Sequence, residues 1–134
     1  MTQLSGSPRV LVVDDEPEHA AIVATLLTRR GFSVQVMHSA SRAIEQALAS
    51  PPDLLLLDVF MPAMDGLTAV DTLRRDFRTR DVPILLVTAS ADDERVRARQ
   101  RGLHVNVLAK PFRTAELVWA VELALARGAV EARS

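Results

Sequence analysis

The sequence contains no cysteine and no tyrosine, and its five glycines are scattered along 134 residues. The absence of cysteine excludes disulfides, thiol chemistry and zinc sites with cysteine ligands. It is compatible with the reducing cytoplasm, where we expect the protein to act. The glycines form neither a GxGxxG sequence nor the spacing of a phosphate-binding loop. No apolar run approaches the length of a membrane span, and the start, MTQLSGSPR, lacks a secretory signal, so we expect no membrane association.

The composition that remains is typical of one globular domain. Hydrophobic residues make up 49% of the chain, which is enough to bury a core. The formal net charge is −1, so no strong field attracts nucleic acid, and we expect no direct nucleic-acid binding. We predict a loose leader over residues 1–7, one domain over 8–127 and a C-terminal tail over 128–134.

Short apolar runs alternate five times with segments of helical periodicity. The predicted strands cover 10–13, 32–36, 54–57, 84–87 and 105–108. The predicted helices cover 18–30, 41–49, about 67–73, 91–101 and a last segment from 114, with glycines ending the first and fourth. Such alternation predicts an α/β fold, a flavodoxin-like doubly wound sheet of five parallel strands in the order 2-1-3-4-5 with five helices.

Polar side chains follow four of these strands. Asp14 and Asp15 follow the first strand, Asp58 the third, Thr88 the fourth and Lys110 the fifth. Because the carboxyl ends of parallel strands lie at one edge of the sheet, we expect these side chains to converge there. Each has a simpler interpretation when it is considered alone: a capping aspartate, a strand-end hydroxyl or a solvated lysine. Five of them on one edge favour a site.

Three crowded carboxylates need a compensating charge. Two like charges about 4 Å apart repel by about 4 kcal/mol at an effective dielectric constant of about 20. Oxygen ligands suit Mg²⁺, which takes one or two carboxylates and keeps positions for water or phosphate oxygens. Asp58 is then the candidate nucleophile for an acyl phosphate, with Lys110 and Thr88 as donors to the phosphoryl oxygens.

Four segments carry a resemblance to a known family. They are VLVVDDEP at 10–17, LLLLDVFMPAMDG at 54–66, LLVTAS at 85–90 and LAKPF at 108–112. Together, in this order and spacing, they resemble the response-regulator receiver domain of two-component signalling, of the chemotaxis-regulator kind. The resemblance extends over about residues 8–127.

The resemblance implies a role for each residue at the predicted edge. Asp58 would be the phosphorylated residue, and Mg²⁺ would be bound by Asp15, Asp58 and the backbone carbonyl of Phe60, with Asp14 contributing through a water molecule. A second set of residues would contact the phosphoryl group and act in switching: Thr88, Ala89 and Lys110.

One position departs from the family pattern. Three residues before the lysine, such domains often carry an aromatic residue that moves with the threonine, whereas here the position is Val107. Phosphorylation is still expected, but a swing of an aromatic side chain is not.

The resemblance also implies partners. The phosphoryl donor would be a sensor histidine kinase or a phosphotransfer protein, and the recipient of the signal an unknown effector or output domain, with a homodimer as a further possibility. We expect that the protein is not an enzyme, and that its only chemistry is Mg²⁺-dependent self-phosphorylation and dephosphorylation of Asp58.

Two other functions lack residues that they require. A dehalogenase-like phosphatase also forms an aspartyl phosphate, but it needs a second aspartate two residues after the nucleophile, and that position is Phe60. A flavin or nucleotide module lacks its glycine motif. His19, His38 and His104 are scattered, and we interpret them as surface or packing residues.

Two local features lie in the second half of the chain. Residues 91–101 carry four alternate arginines, and we favour a solvated helix there over a partner-binding or nucleic-acid-binding surface. The bond between Lys110 and Pro111 is expected to be trans, because cis is the minority form of such bonds.

Overall fold

The computed structural model describes residues 6–59 and 66–133, in which strands and helices alternate. The strands are β1 (Arg9–Val13), β2 (Ser33–Met37), β3 (Leu54–Asp58), β4 (Ile84–Thr88) and β5 (Asn106–Ala109). The helices are α1 (Pro17–Arg29), α2 (Ala40–Ala49), α3 (Gly66–Arg75), α4 (Glu94–Gly102) and α5 (Thr114–Arg133). All strand pairs are parallel and their order is β2-β1-β3-β4-β5, so the predicted fold is confirmed.

The sheet separates two apolar layers. Alternate residues of β1 and β3, such as Leu11 and Leu55, pack against α2 and α3 on one face. The residues between them, such as Val12 and Leu56, pack against α1 and α5 on the other face. Because both faces of the central strands are covered, these strands are apolar at nearly every position, and their sequences show no polar alternation.

Two helices begin at residues other than those predicted, because local capping determines where they start. α1 begins at Pro17, because proline suits the first turn of a helix, and it is followed by Gly31 in the left-handed region at φ 94°. α4 begins only at Glu94, since the side chain of Asp93 accepts a hydrogen bond from the Arg95 backbone N–H. The prediction that this helix ends at Gly102 is confirmed, with Gly102 as its last helical residue.

The chain continues as helix where a tail was predicted. α5 extends to Arg133 and so passes the predicted domain limit at residue 127. Gly128 lies within this helix, and a Cβ atom there would overlap the Pro83 ring, so the helix packs closely against the loop before β4. Residues 1–5 of the predicted leader lie outside the described residues.

Within the described ranges, none of the helices is both long enough and apolar enough to span a bilayer.

Candidate functional site

The predicted polar residues meet at the carboxyl edge of the sheet. Asp14 and Asp15 directly follow β1, while Asp58 and Thr88 are the last residues of β3 and β4. Lys110 follows β5, and its backbone N–H donates to the Thr88 carbonyl at 2.8 Å. The strand order thus brings residues from four distant segments to one edge, next to the strand-order reversal at β1 and β3.

Three of these side chains form an acidic cluster. Asp14, Asp15 and Asp58 each offer a carboxylate oxygen, and these oxygens all lie within 4.8 Å of one another. Asp14 is 7% exposed, and its Oδ1 accepts a hydrogen bond from the Glu16 backbone N–H at 2.9 Å. Its backbone is also fixed, because its N–H donates to the Met37 carbonyl at 3.1 Å.

Lys110 supplies positive charge to this cluster. Its Nζ lies 3.4 Å from Asp58 Oδ1, and the two side chains are 27% and 14% exposed. Burial raises the pKa of Asp58 above its ordinary value, the charge and hydrogen bond of Lys110 lower it, and the charges of Asp14 and Asp15 raise it, with a net upward shift. Three carboxylates thus lie beside one lysine, and their oxygen-only donor set fits a hard divalent cation such as Mg²⁺.

Thr88 fixes the segment that follows β4. It is 1% exposed, and its Oγ1 accepts a hydrogen bond from the Ser90 backbone N–H at 2.9 Å. A hydroxyl that accepts one bond keeps its own hydrogen to donate elsewhere. The bond to Ser90 was not predicted, although a threonine two residues before a backbone donor is typical of such turns.

Gly66 determines how closely α3 begins beside Asp58. A Cβ atom at this position would lie 2.6 Å from the Asp58 backbone carbonyl oxygen and 3.0 Å from Val59 Cα. Only glycine allows this approach, so the sequence at 66 helps to place the end of β3.

Some predicted features lie outside the described residues. Among them is Phe60, whose backbone carbonyl was expected to bind the metal, along with the rest of the segment 60–65. That predicted ligand stays a prediction.

One expectation at the site was wrong. The bond between Lys110 and Pro111 is cis, not trans. Proline leaves only a small free-energy preference for trans, about 0.5–1 kcal/mol, so the surrounding fold decides the isomer and the local sequence does not.

The position that lacks an aromatic residue lies on β5. Val107 is half-buried and packs on the face of the sheet that α2, α3 and α4 cover. Val107 therefore packs against the core. It does not provide the large aromatic side chain that, in the family pattern, moves with the threonine.

Two histidines have roles that sequence reasoning missed. His38 Nδ1 lies 3.0 Å from the Asp14 carbonyl oxygen, so it supports the backbone of the acidic cluster. His19 Nδ1 lies 2.8 Å from Glu16 Oε1, and these two residues with Asp14 form a second group of closely spaced ligand atoms. A histidine one helical turn from a glutamate is the only sequence signal for this pair.

A cavity of about 620 Å³ opens beside the acidic cluster. It runs from Asp58 and Lys110 toward α1 and the segment that follows β5, and Ala89 is part of its lining. No sequence pattern predicts this cavity, because its walls come from strands and helices that are each typical of an ordinary core.

Comparisons with known proteins agree on one family. A family model described as the response regulator receiver domain matches residues 10–122. The DNA-binding dual master transcriptional regulator RpaA of Synechocystis sp. is 34% identical over 121 residues, covering 90% of this chain and 50% of RpaA. The transcriptional regulatory protein PrrA of Mycobacterium leprae is 38% identical over 130 residues, covering 96% and 54%. The chain thus spans about half the length of these curated relatives.

A solved structure extends the similarity to the backbone. The crystal structure of a putative response regulator from Chloroflexus aurantiacus matches with a TM-score of 0.80 and 32% sequence identity. The match covers 90% of this chain and 98% of that one.

Proposed function

Because the chain belongs to the response regulator receiver domain family, we propose that Asp58 is its phosphorylated residue. The donor is the phosphohistidine of a sensor histidine kinase or of a phosphotransfer protein. The observation that carries the proposal is the position of Asp58 at the end of β3, within the acidic cluster and 3.4 Å from Lys110. No other described carboxylate combines partial burial, two acidic neighbours and a lysine donor in this way.

The transfer requires one bond to form and one to break. A carboxylate oxygen of Asp58 attacks phosphorus, and the bond between phosphorus and the histidine nitrogen breaks. The electron pair stays on that nitrogen, which takes up a proton from water. Lys110 Nζ, already beside Asp58, offsets negative charge on the phosphoryl oxygens. The Thr88 hydroxyl hydrogen is free to donate to one of these oxygens, since its oxygen already accepts from Ser90.

The acidic cluster fits a magnesium ion. Asp15, Asp58 and the Phe60 carbonyl would hold Mg²⁺, with Asp14 through a water molecule. When bound, the ion supplies positive charge against the oxygens of the transferring group. This proposal is supported by the spacing of the three carboxylates, which have a single lysine beside them.

Phosphorylation would act on α4 through Thr88. A phosphoryl group brings about two negative charges and new acceptor oxygens, which attract the Thr88 hydroxyl and with it the turn at Ser90. α4 follows this turn, and Val96 is its one buried residue among those described. A helix with so little apolar contact moves at low free-energy cost. With Val107 in place of an aromatic residue, we propose that α4 itself carries the signal.

The C-terminal end of α4 is held by polar contacts from α3. Arg99 Nη2 lies 2.8 Å from Asp71 Oδ2, and both side chains are largely shielded from solvent. Arg74 Nε donates to the Leu103 carbonyl at 2.9 Å, just beyond the helix. The displacement we propose is therefore a tilt in which the N-terminal end of α4 moves more than its C-terminal end.

Receiver domains are phosphoryl-accepting signalling domains and not classical enzymes. For this chain we propose that reaction is limited to Mg²⁺-dependent gain and loss of the phosphoryl group at Asp58. The partner that reads α4 is an effector or output domain, or a second copy of the chain, and we propose neither direct nucleic-acid binding nor membrane contact. A cytoplasmic location is consistent with the absence of cysteine.

The proposal is tested by mass spectrometry of the intact protein after incubation with acetyl phosphate and Mg²⁺. We expect the wild-type protein to gain one phosphoryl group, and Asp58→Asn to gain none. The matched control is Asp81→Asn, because the Asp81 side chain is 81% exposed and lies in the loop before β4, at the opposite end of that strand from the acidic cluster. Equal phosphorylation of wild type and Asp58→Asn would remove Asp58 from this role.

A further inference from the structure

The end of β2 holds two consecutive peptide units of the acidic cluster. The N–H of Asp14 belongs to the peptide that joins it to Val13, and this N–H donates to the Met37 carbonyl at 3.1 Å. The carbonyl of Asp14 belongs to the next peptide, which joins it to Asp15, and its oxygen lies 3.0 Å from His38 Nδ1. Two neighbouring residues therefore fix the segment that carries two of the three clustered carboxylates.

The second of these bonds comes from a side chain because β2 has already ended. The parallel pairing of β1 and β2 runs as far as Val13 and Met37, and Ser39 is the N-cap of α2. The chain thus leaves the sheet at the level of the Asp14 carbonyl, where the His38 ring supplies the donor that a longer strand would supply from its backbone. A carbonyl oxygen only accepts hydrogen bonds, so His38 Nδ1 is the donor.

The peptide that His38 holds is the one that orients Asp15. Because a peptide unit is planar, a hydrogen bond to its carbonyl fixes the plane of the whole unit, and with it the direction in which the next side chain leaves the backbone. The Asp14 carboxylate has a further support, since it accepts from the Glu16 backbone N–H at 2.9 Å. Within residues 6–59 and 66–133 no hydrogen bond holds the Asp15 carboxylate, so its direction depends on the backbone.

We propose that His38 is a positioning residue of the magnesium site, which sets the affinity for Mg²⁺ by fixing the peptide between Asp14 and Asp15. The proposal rests on the proposed function, since it concerns the same acidic cluster. Mg²⁺ requires nearly ideal placement of its oxygen ligands, and groups that orient the ligands without touching the ion influence its affinity. His38 is such a group, because its bond is to the backbone of the cluster and not to a carboxylate.

The surroundings of His38 separate this role from a role in folding. The hydrogen bond is partly shielded from solvent, but the residue itself is exposed and is not part of either apolar layer. Loss of the ring therefore leaves the core packing in place and removes the donor to Asp14. We expect the effect of substitution on Mg²⁺ binding and not on the cooperative unfolding of the protein.

The experiment measures Mg²⁺ binding by isothermal titration calorimetry, with no phosphodonor present. We expect His38→Ala to raise the Kd about fivefold, which is the usual contribution of one neutral hydrogen bond. His38→Asn should restore most of the affinity, because the asparagine Nδ2 lies about as far along the side chain as Nδ1. Alanine and asparagine both remove the ring and any charge on it, so only the donor distinguishes them. Gln35→Ala, at an exposed position of β2, is the matched control and should bind Mg²⁺ as the wild type does.

A second measurement needs neither the metal nor a phosphodonor. The carbon-13 NMR signal of the Asp14 carbonyl in the metal-free protein reports the hydrogen bond that this carbonyl accepts. We expect the signal to move in His38→Ala and to stay near its wild-type position in His38→Asn. In phosphorylation by acetyl phosphate, the Mg²⁺ concentration for half the maximal rate should rise about fivefold in His38→Ala, while the maximal rate stays near that of the wild type.

The outcomes distinguish this proposal from the proposed function. If Mg²⁺ binds but no donor labels Asp58, the proposed function fails, and calorimetry still decides the role of His38. A Kd in His38→Ala equal to that of Gln35→Ala would overturn the proposal, as would a wild-type protein that does not bind Mg²⁺. A loss of affinity that His38→Asn does not restore would also overturn it, because the effect would then belong to the volume of the ring and not to its donor.

Discussion

Lys110 Nζ lies 3.4 Å from Asp58 Oδ1 across 52 residues of sequence, and Lys110 is the one lysine that the chain contains. The two residues meet because β3 and β5 both end at the same edge of the sheet, with β4 between them. The contact gives Asp58 its positive neighbour within a cluster that is otherwise acidic. Removing the Lys110 side chain would therefore remove the positive charge that lies nearest to a phosphoryl group on Asp58.

Lys110→Ala is therefore expected to slow phosphorylation of Asp58. Loss of one electrostatic donor at a reacting centre costs about a hundredfold in rate. The measurement is the rate of phosphoryl incorporation from acetyl phosphate with Mg²⁺ at saturating concentration. Arg113→Ala removes a nearby exposed positive charge and serves as the control, for which we expect nearly the wild-type rate. A Lys110→Ala rate equal to the control would show that the lysine is not needed.

In the absence of Mg²⁺, the Asp58 carboxyl is expected to titrate at a higher pH than an exposed aspartate. Only the ionised carboxylate of Asp58 is a nucleophile, and burial together with Asp14 and Asp15 raises its pKa despite Lys110. Titration of the Asp58 carboxyl by NMR in the absence of Mg²⁺ measures this. An Asp58 carboxyl that titrates at or below the ordinary aspartate value would contradict the cluster geometry.

The same shift has a consequence for folding. A carboxyl group whose pKa is raised in the folded state contributes stability at low pH that is lost as pH rises through the folded-state pKa. Asp58→Asn removes this effect and is expected to raise the free energy of unfolding at neutral pH in the absence of Mg²⁺, with a smaller gain at acidic pH. Denaturant titrations of both proteins at the two pH values measure it, and a gain that grows toward acidic pH would reverse the assigned sign.

Gly66 and Gly102 provide a matched pair of substitutions. Gly66→Ala places a Cβ atom 2.6 Å from the Asp58 carbonyl oxygen, and such overpacking costs about 1–3 kcal/mol in the free energy of unfolding. Gly102→Ala meets no atom within 4 Å in α4, so the better helix propensity of alanine is expected to stabilise by about 0.5–1 kcal/mol. Urea denaturation distinguishes the two, and equal effects would show that α3 does not begin so close to β3.

The contact between Arg99 and Asp71 is expected to hold α4. For a pair this shielded but still partly exposed, a double-mutant cycle with Arg99→Ala and Asp71→Ala should give about 0.5–1 kcal/mol. Hydrogen exchange in residues 94–102 should quicken in either variant, while exchange in α1 stays as in the wild type. Unchanged exchange in α4 would mean that the helix is held by other contacts.

Much of the fold follows from the periodicity of the sequence. The five valine- and leucine-rich runs predict buried parallel strands because both faces of such strands are covered, and the structure confirms them within about one or two residues at each end. The start of α4 was predicted three residues too early, at 91. Several neighbouring acidic residues could cap this helix, and the sequence alone does not show that Asp93, which accepts from the Arg95 backbone N–H, is the one that does.

The part of the site that is formed by residues at strand ends could be predicted from the sequence. Asp14, Asp15, Asp58, Thr88 and Lys110 each follow or end a strand, so the topology brings them together. The cis isomer at Pro111, the support of Asp14 by His38 and the cavity were not predictable, because each depends on packing between distant segments. No residue type or spacing in one segment encodes such a contact.

The central claim is that Asp58 carries the phosphoryl group, and direct localisation tests it. After reaction with acetyl phosphate and Mg²⁺, borohydride reduction converts a phosphorylated aspartate to homoserine, which peptide mass spectrometry places in the sequence. We predict homoserine at position 58 and at no other aspartate, and none when Mg²⁺ is withheld. Homoserine at Asp14 or Asp15, or an unmodified Asp58 in a protein that has gained a phosphoryl group, would contradict this account.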